Sequence, residues 1–279
     1  MRPRDPHRYS HELDEVVIQR LIARLESRAC SPVFLRPLQA YLARLALTPD
    51  MRILEIGCGT GAIARNVAEH RAGQLGAVPM QPILGLDQSP AFIAAAKEFA
   101  AQSLYANQLQ FEVADAHGLA QGDAEFDLII AHTLLSHVAE PKQVLQELAR
   151  VLKPGGTLVV FDGDYASLTY AYEFAEFGRE MDQALANATF NNPLLMRQLP
   201  LWLDEIGLER REAWGEALIE IGHADYFKTF AQTYVPAVID AELVDEGMAL
   251  RWLDDQLMAD ATDVFFASCN YYTFFLTRL

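Results

Sequence analysis

Between Ile53 and Gly61 the chain reads ILEIGCGTG, and AIARNVAEH follows at once. A short apolar run that breaks into glycines reads as a buried strand, and the spacing of apolar residues after Gly61 reads as a helix over 62–70. Strand, glycine turn and helix form the first half of a unit whose returning strand lies parallel to the first. Glycines at 57, 59 and 61 let the backbone approach a ligand closely, while the helix behind them offers N–H groups with no partner inside the helix. The arrangement predicts a nucleotide-like cofactor.

The same alternation continues downstream. PILGLD (82–87) predicts a second strand and AFIAAAKEFAAQ a helix, with further strands over 109–113, 126–131 and 157–161 and an amphipathic helix over 141–152 that stops at Pro154-Gly155-Gly156. Two helices, broken at Ser31-Pro32, are predicted ahead of the first strand. After it the pattern changes: a helical, aromatic-rich stretch over 165–199, a short helix over 201–206, a strand over 209–221, helix over 226–257 and a last strand over 264–276. If the last two strands pair as a hairpin, an antiparallel edge closes the sheet. The expected organisation is a helical segment at 1–47, a cofactor-binding core at 48–163, a helical cap at 164–200, and the remaining core strands at 201–279 with a second insertion at about 223–262.

The 279 residues carry 22 Lys plus Arg against 38 Asp plus Glu, a formal charge of −16. An anionic surface repels phosphate backbones, so nucleic acid and anionic membranes are poor partners. Basic residues lead only in the first 45 positions, with eight Lys or Arg against five acids. Cys30, Cys58 and Cys269 are odd in number and widely spaced, which argues against a disulfide framework or a cysteine zinc site and for a reducing, cytoplasmic setting. The opening MRPRDPHRYS has no apolar stretch of the secretory kind, and no run is long enough to span a membrane. His7 and His11 have metal-ligand spacing in a polar segment, but no metal is expected.

The glycines alone do not choose the cofactor, because Gly57, Gly59 and Ala62 also fit the dinucleotide fingerprint. Glu55 decides. A carboxylate in the turn would repel a pyrophosphate but favours the cationic amino and sulfonium groups of S-adenosylmethionine. Asp87, ending the second strand and followed by Gln88, is placed to accept from ribose hydroxyls. Asp115, followed by Ala116 after the third strand, is placed to accept from an adenine amino group. An NAD-type oxidoreductase is the alternative of another class, yet no Tyr is followed four residues later by Lys, as the short-chain dehydrogenase pair requires.

With these residues in view, the chain resembles class I S-adenosylmethionine-dependent methyltransferases, in the branch of ubiquinone/menaquinone-type and natural-product enzymes. The resemblance rests on Leu54 to Gly61, Leu86-Asp87, Ala114-Asp115-Ala116, Phe126-Asp127-Leu128, Leu135 to Val138 and Arg150 to Gly156, and covers about residues 50–162. It implies an α/β, Rossmann-like fold: a seven-stranded, mostly parallel sheet with an antiparallel last strand, N-terminal helices and helical cap insertions. It also implies cofactor contacts from Glu55, Gly57, Cys58, Gly59, Thr60, Gly61, Asp87, Gln88, Asp115, Ala116, His132 and His137. Two departures stand out: the stretch between Gly61 and Asp87 is longer than usual, and the insertions fit no particular subfamily.

The acceptor is expected to be a small organic molecule such as a quinone, phenol, polyketide or amino-acid-derived metabolite. AHTLLSHV after the fourth strand lacks the Asn/Asp-Pro-Pro-Tyr pattern of nitrogen methylation, no Pro-Cys nucleophile exists, and His132 stands where metal-dependent relatives tend to carry Asp. His137 and His132 flank the expected methyl group and are the candidate catalytic residues, with a base needed only if the acceptor must lose a proton. Arg28 reaches the methionine carboxylate if the leading helices fold over the cofactor. Asp162, Asp164, Tyr165, Tyr170 and Tyr172 are the expected acceptor contacts, the aromatics forming one wall of a cap; a homodimer interface would use them equally well. A protein that binds the cofactor without transferring methyl, for example to promote a cyclisation, is a further alternative.

Overall fold

A computed structural model describes residues 15–76 and 78–279. His7 and His11 lie outside the described residues. Two helices lead the chain, α1 (Glu15–Cys30) and α2 (Pro32–Leu42), joined at Ser31 where Pro32 opens the second. Then β1 (Ile53–Ile56), α3 (Ala62–Leu75), β2 (Ile83–Asp87), α4 (Pro90–Ala101), β3 (Leu109–Val113), β4 (Phe126–His132), α5 (Pro141–Val151) and β5 (Leu152–Tyr170) follow in alternation. The remainder is α6 (Ala175–Thr189), two single turns α7 (Leu195–Gln198) and α8 (Leu203–Ile206), β6 (Leu208–Gly222), α9 (Tyr226–Asp240), α10 (Glu246–Ala261) and β7 (Phe265–Arg278).

The seven strands form one sheet in the order β3-β2-β1-β4-β5-β7-β6. Pairings through β5 are parallel, whereas β7 runs antiparallel to both β5 and β6. The last strand alone is therefore reversed, and it enters between β5 and β6. Strands β1 and β4 are apolar on both faces because helices cover both. On one face Leu54, Ile129 and Leu158 pack with Leu145 and Leu148 of α5; on the other Ile53, Leu128 and Val159 share a core with Val67 of α3 and Tyr41 of α2. The outer strand β6 exposes Glu209, Arg210, Arg211 and Glu212, charges that discourage edge-to-edge association.

Two expectations need correction. The helix predicted from Tyr165 begins only at Ala175, because β5 continues through an irregularity after Asp164 to pair Thr169 and Tyr170 with Ser268 and Ala267. Tyr165, Leu168 and Tyr170 are buried through that strand, so the aromatic spacing that looked helical serves a sheet. The single helix predicted over 226–257 is two helices. The chain turns at Glu242, whose φ is 53°, and Asp245 restarts the helix by accepting at 3.0 Å from the Met248 amide.

Candidate active site

The carboxyl ends of β1, β2, β3 and β4 open onto a cleft of about 470 Å³, roofed by α1 and α2. Ligands of open α/β sheets bind in this crevice because the first helix after a strand directs its amide dipoles there. The turn after β1 has its glycines in the left-handed region. At Gly61, φ is 72° and a side chain would begin 2.5 Å from the Phe111 ring; at Gly59, φ is 51° and only Leu25 of α1 comes near, at 3.2 Å. Gly61 is thus glycine for packing, whereas Gly59 leaves its space to the cleft. Gly57, Cys58 and Thr60 also line it.

Three carboxylates surround the turn. Glu55 is 2% exposed and accepts at 2.8 Å from the Ala64 amide of α3. Burial, only partly offset by that bond and by Arg65, pushes its pKa up to about 8, and the neighbouring Asp87 adds to the rise. Asp87 accepts from the Gly59 and Ser89 amides, both at 2.9 Å, and burial raises its pKa as well. Asp115 is 65% exposed in its side chain and sits with Ala116 at the cleft wall, its Oδ1 accepting from the His117 amide at 2.9 Å. Two buried acids with raised pKa values are poorly compensated by protein groups alone. A cationic, hydroxyl-bearing ligand would complete them, and a pyrophosphate would not. The donor set therefore fits S-adenosylmethionine.

The opposite wall comes from α1, α2 and the end of β4. Arg28 donates at 3.0 Å to the Thr133 hydroxyl and lies over the Phe34 ring, 5.3 Å from its centre. Thr133 has φ of 53°, an uncommon conformation for a β-branched residue, held by its own amide donating at 2.7 Å to Phe161. His132 lines the cleft at 5% exposure, its ring 4.5 Å from Phe161 and its Nδ1 3.1 Å from the Tyr41 hydroxyl. Burial, and secondly the charge of Arg28, hold its pKa well below the usual imidazole value, so it is neutral at pH 7. His137, Gln88, Phe34 and Leu38 line the same space.

The structure brings the expected cofactor-side residues and Arg28 together around the cleft except Gly61, which packs against Phe111, and it puts the expected acceptor contacts elsewhere. None of Asp162, Asp164, Tyr165, Tyr170 or Tyr172 lines the cleft. Asp162 is fully buried and accepts from the Ser136 amide at 3.0 Å, the Ser136 hydroxyl at 2.9 Å, the Gly163 amide and the Tyr165 hydroxyl. It anchors the loop that carries Thr133 and His137. Asp164 pairs with Arg197 at 2.8 Å, Tyr170 donates to the Phe227 carbonyl at 2.8 Å, and half-buried Tyr172 donates to Asp255 at 3.0 Å. Their polar contacts are made inside the fold, although the second oxygen of Asp164, Oδ1, is buried without a hydrogen-bond partner among the described residues. Conversely, Tyr41, Thr133, Phe34 and Leu38 went unread as site residues: α2 showed only an apolar helical stripe, and packing against β4 turned it inward.

A family model described as methyltransferase domain matches residues 47–206. The chain belongs to this methyltransferase family. Within it the cofactor is S-adenosylmethionine. Relatives include a trans-aconitate 2-methyltransferase of Variovorax paradoxus, 34% identical over 45% of this chain and 43% of its own length. An O-methyltransferase of Aspergillus sclerotiorum is 33% identical over 43% of this chain and 42% of its own. The matched stretch thus spans less than half of these curated relatives. Among solved structures, the [4+2]-cyclase SpnF shares the fold with a TM-score of 0.55 at 21% identity, over 87% of this chain and 80% of that one. No helix among the described residues is long and apolar enough to cross a membrane.

Proposed function

We propose that this methyltransferase-family chain transfers a methyl group from S-adenosylmethionine to a small organic acceptor enclosed under α1 and α2. The observation that carries the reading is the division of one cleft into an acidic wall of Glu55, Asp87 and Asp115 and a facing wall of Arg28, Phe34, Leu38, His132 and His137. When bound, S-adenosylmethionine supplies an electrophilic methyl group on a sulfonium, a donor that needs no further activation. Glu55 favours the cationic end of the cofactor, Asp87 and Asp115 accept from its hydroxyl and amino groups, and Arg28 is placed for its carboxylate. The helical roof limits water and holds the acceptor in line, the positioning from which methyl transfer gains most. His137 is the group that takes a proton where the acceptor must lose one.

A cleft of this size, shared with the cofactor, suits a metabolite rather than a macromolecule, and the formal charge of −16 disfavours nucleic acid. Because a fold neighbour is a cyclase, the fold does not fix the reaction. A screen of metabolite acceptors for released S-adenosylhomocysteine together with methylated product tests the proposal. Product formed without S-adenosylhomocysteine would instead assign the bound cofactor a non-transfer role.

A further inference from the structure

The Tyr41 side chain is fully buried, and among the described residues its hydroxyl has one hydrogen-bond partner, Nδ1 of His132 at 3.1 Å.

A buried phenol left without an acceptor for its proton forfeits a hydrogen bond it would make in water. Nδ1 of His132 is the acceptor within reach, so Tyr41 donates and Nδ1 carries no proton. In a neutral imidazole the proton then sits on Nε2. Nδ1 is taken by Tyr41, which leaves Nε2 as the ring nitrogen available to a ligand in the cleft that His132 lines. The groups facing this ring are Tyr41 from α2, Phe161 from β5 and the Arg28 guanidinium from α1, and none of them is an acid.

Resting on the methyltransferase reading, we propose that Tyr41 is a positioning residue that fixes His132 as an Nε2–H donor, and that this donor binds an oxygen of the methyl acceptor. His132 then acts as an electrophilic contact and not as a base. Reversing the tautomer would strand the Tyr41 proton, and adding a second proton is opposed by burial and by Arg28. With Arg28 assigned to the cofactor carboxylate, the acceptor class that answers the remaining N–H donor carries a carboxylate, phenolate or enolate oxygen. An amine would instead call for carboxylates or carbonyls beside this ring, and the groups packed on it include no acid; Glu140, which also lines the cleft, follows His137 to Ala139 and is not among them.

Proton–nitrogen correlation spectra of the full chain with labelled histidine, saturated with S-adenosylhomocysteine, read the tautomer directly; His132→Gln identifies the signal among the seven histidines. The expected result is the Nε2–H form at neutral pH in the parent and a tautomer mixture in Tyr41→Phe. An Nδ1–H form or an imidazolium in the parent overturns the proposal. In acceptor screens by S-adenosylhomocysteine release, His132→Phe is expected to lower kcat/KM by tenfold or more for acids and phenols. Turnover of amines alone, unaffected by that substitution, overturns the recognition while leaving methyl transfer intact. Absence of release from every acceptor, with the tautomer as expected, overturns the methyltransferase reading and the acceptor assignment with it.

Discussion

Glu26 of α1 accepts a hydrogen bond at 2.5 Å from the hydroxyl of Thr60, inside the glycine turn. Its other oxygen accepts from Arg65 at 2.6 Å, so one side chain ties the roof of the cleft both to the turn and to α3. A roof fastened to the cofactor loop transmits the order of one to the other. Glu26→Ala is expected to raise the dissociation rate of S-adenosylmethionine several-fold while costing about 1 kcal/mol of stability. Stopped-flow displacement and denaturant titration check the two effects, and an unchanged dissociation rate would detach the roof from cofactor retention.

Gly59 and Gly61 are expected to fail differently when substituted. Gly61→Ala meets Phe111 at 2.5 Å in a left-handed backbone and should destabilise the fold by about 2 kcal/mol or more. Gly59→Val carries the same left-handed strain but meets only Leu25, at 3.2 Å, and in the fraction that folds calorimetry should detect no S-adenosylmethionine binding. Equal affinity in a folded Gly59→Val variant would place the cofactor elsewhere.

Asp87 is expected to contribute charge-assisted hydrogen bonds of about 1.5–3 kcal/mol each to the ribose. Asp87→Ala should therefore weaken cofactor binding at least about tenfold. A loss below twofold would move the ribose contact to another acid.

The raised pKa of Glu55 predicts a pH dependence with a definite sign. The empty protein favours the neutral carboxyl, so this contribution to stability is present in full below the unfolded value near 4.3 and is lost as pH rises through about 8. A cationic ligand favours the anion, so binding near pH 7 should release a proton and tighten as pH rises toward 8. Calorimetry in buffers of different ionisation enthalpy measures that proton, and Glu55→Gln should abolish its release. Proton uptake on binding would contradict the assignment.

The strands β1, β2 and β4 were legible because each is a short, mostly apolar run, with β1 stopping at Gly57 and β2 at Asp87, a local pattern that leaves few readings. The acids of the cofactor wall were legible for the same reason, since strand ends fix where their side chains gather. Tyr165 and Tyr170 were misread because aromatic spacing alone does not separate a helix from a strand, and the pairing partner, Ala267, lies far along the chain. Tyr41 carried no local signal at all: its meaning comes from His132, reached only when α2 packs on the sheet.

The position of β7 has a consequence for the order of folding. Leu158 pairs with Leu276, and β6 finds its ladder partner in β7 alone among the described strands. During synthesis β6 therefore emerges with no sheet to join, and both strands dock only once the residues from Phe265 onward are available. Contacts so distant in sequence are slow to form, which makes this half of the sheet the late and aggregation-exposed step of maturation, and makes removal of β7 equivalent to losing two strands.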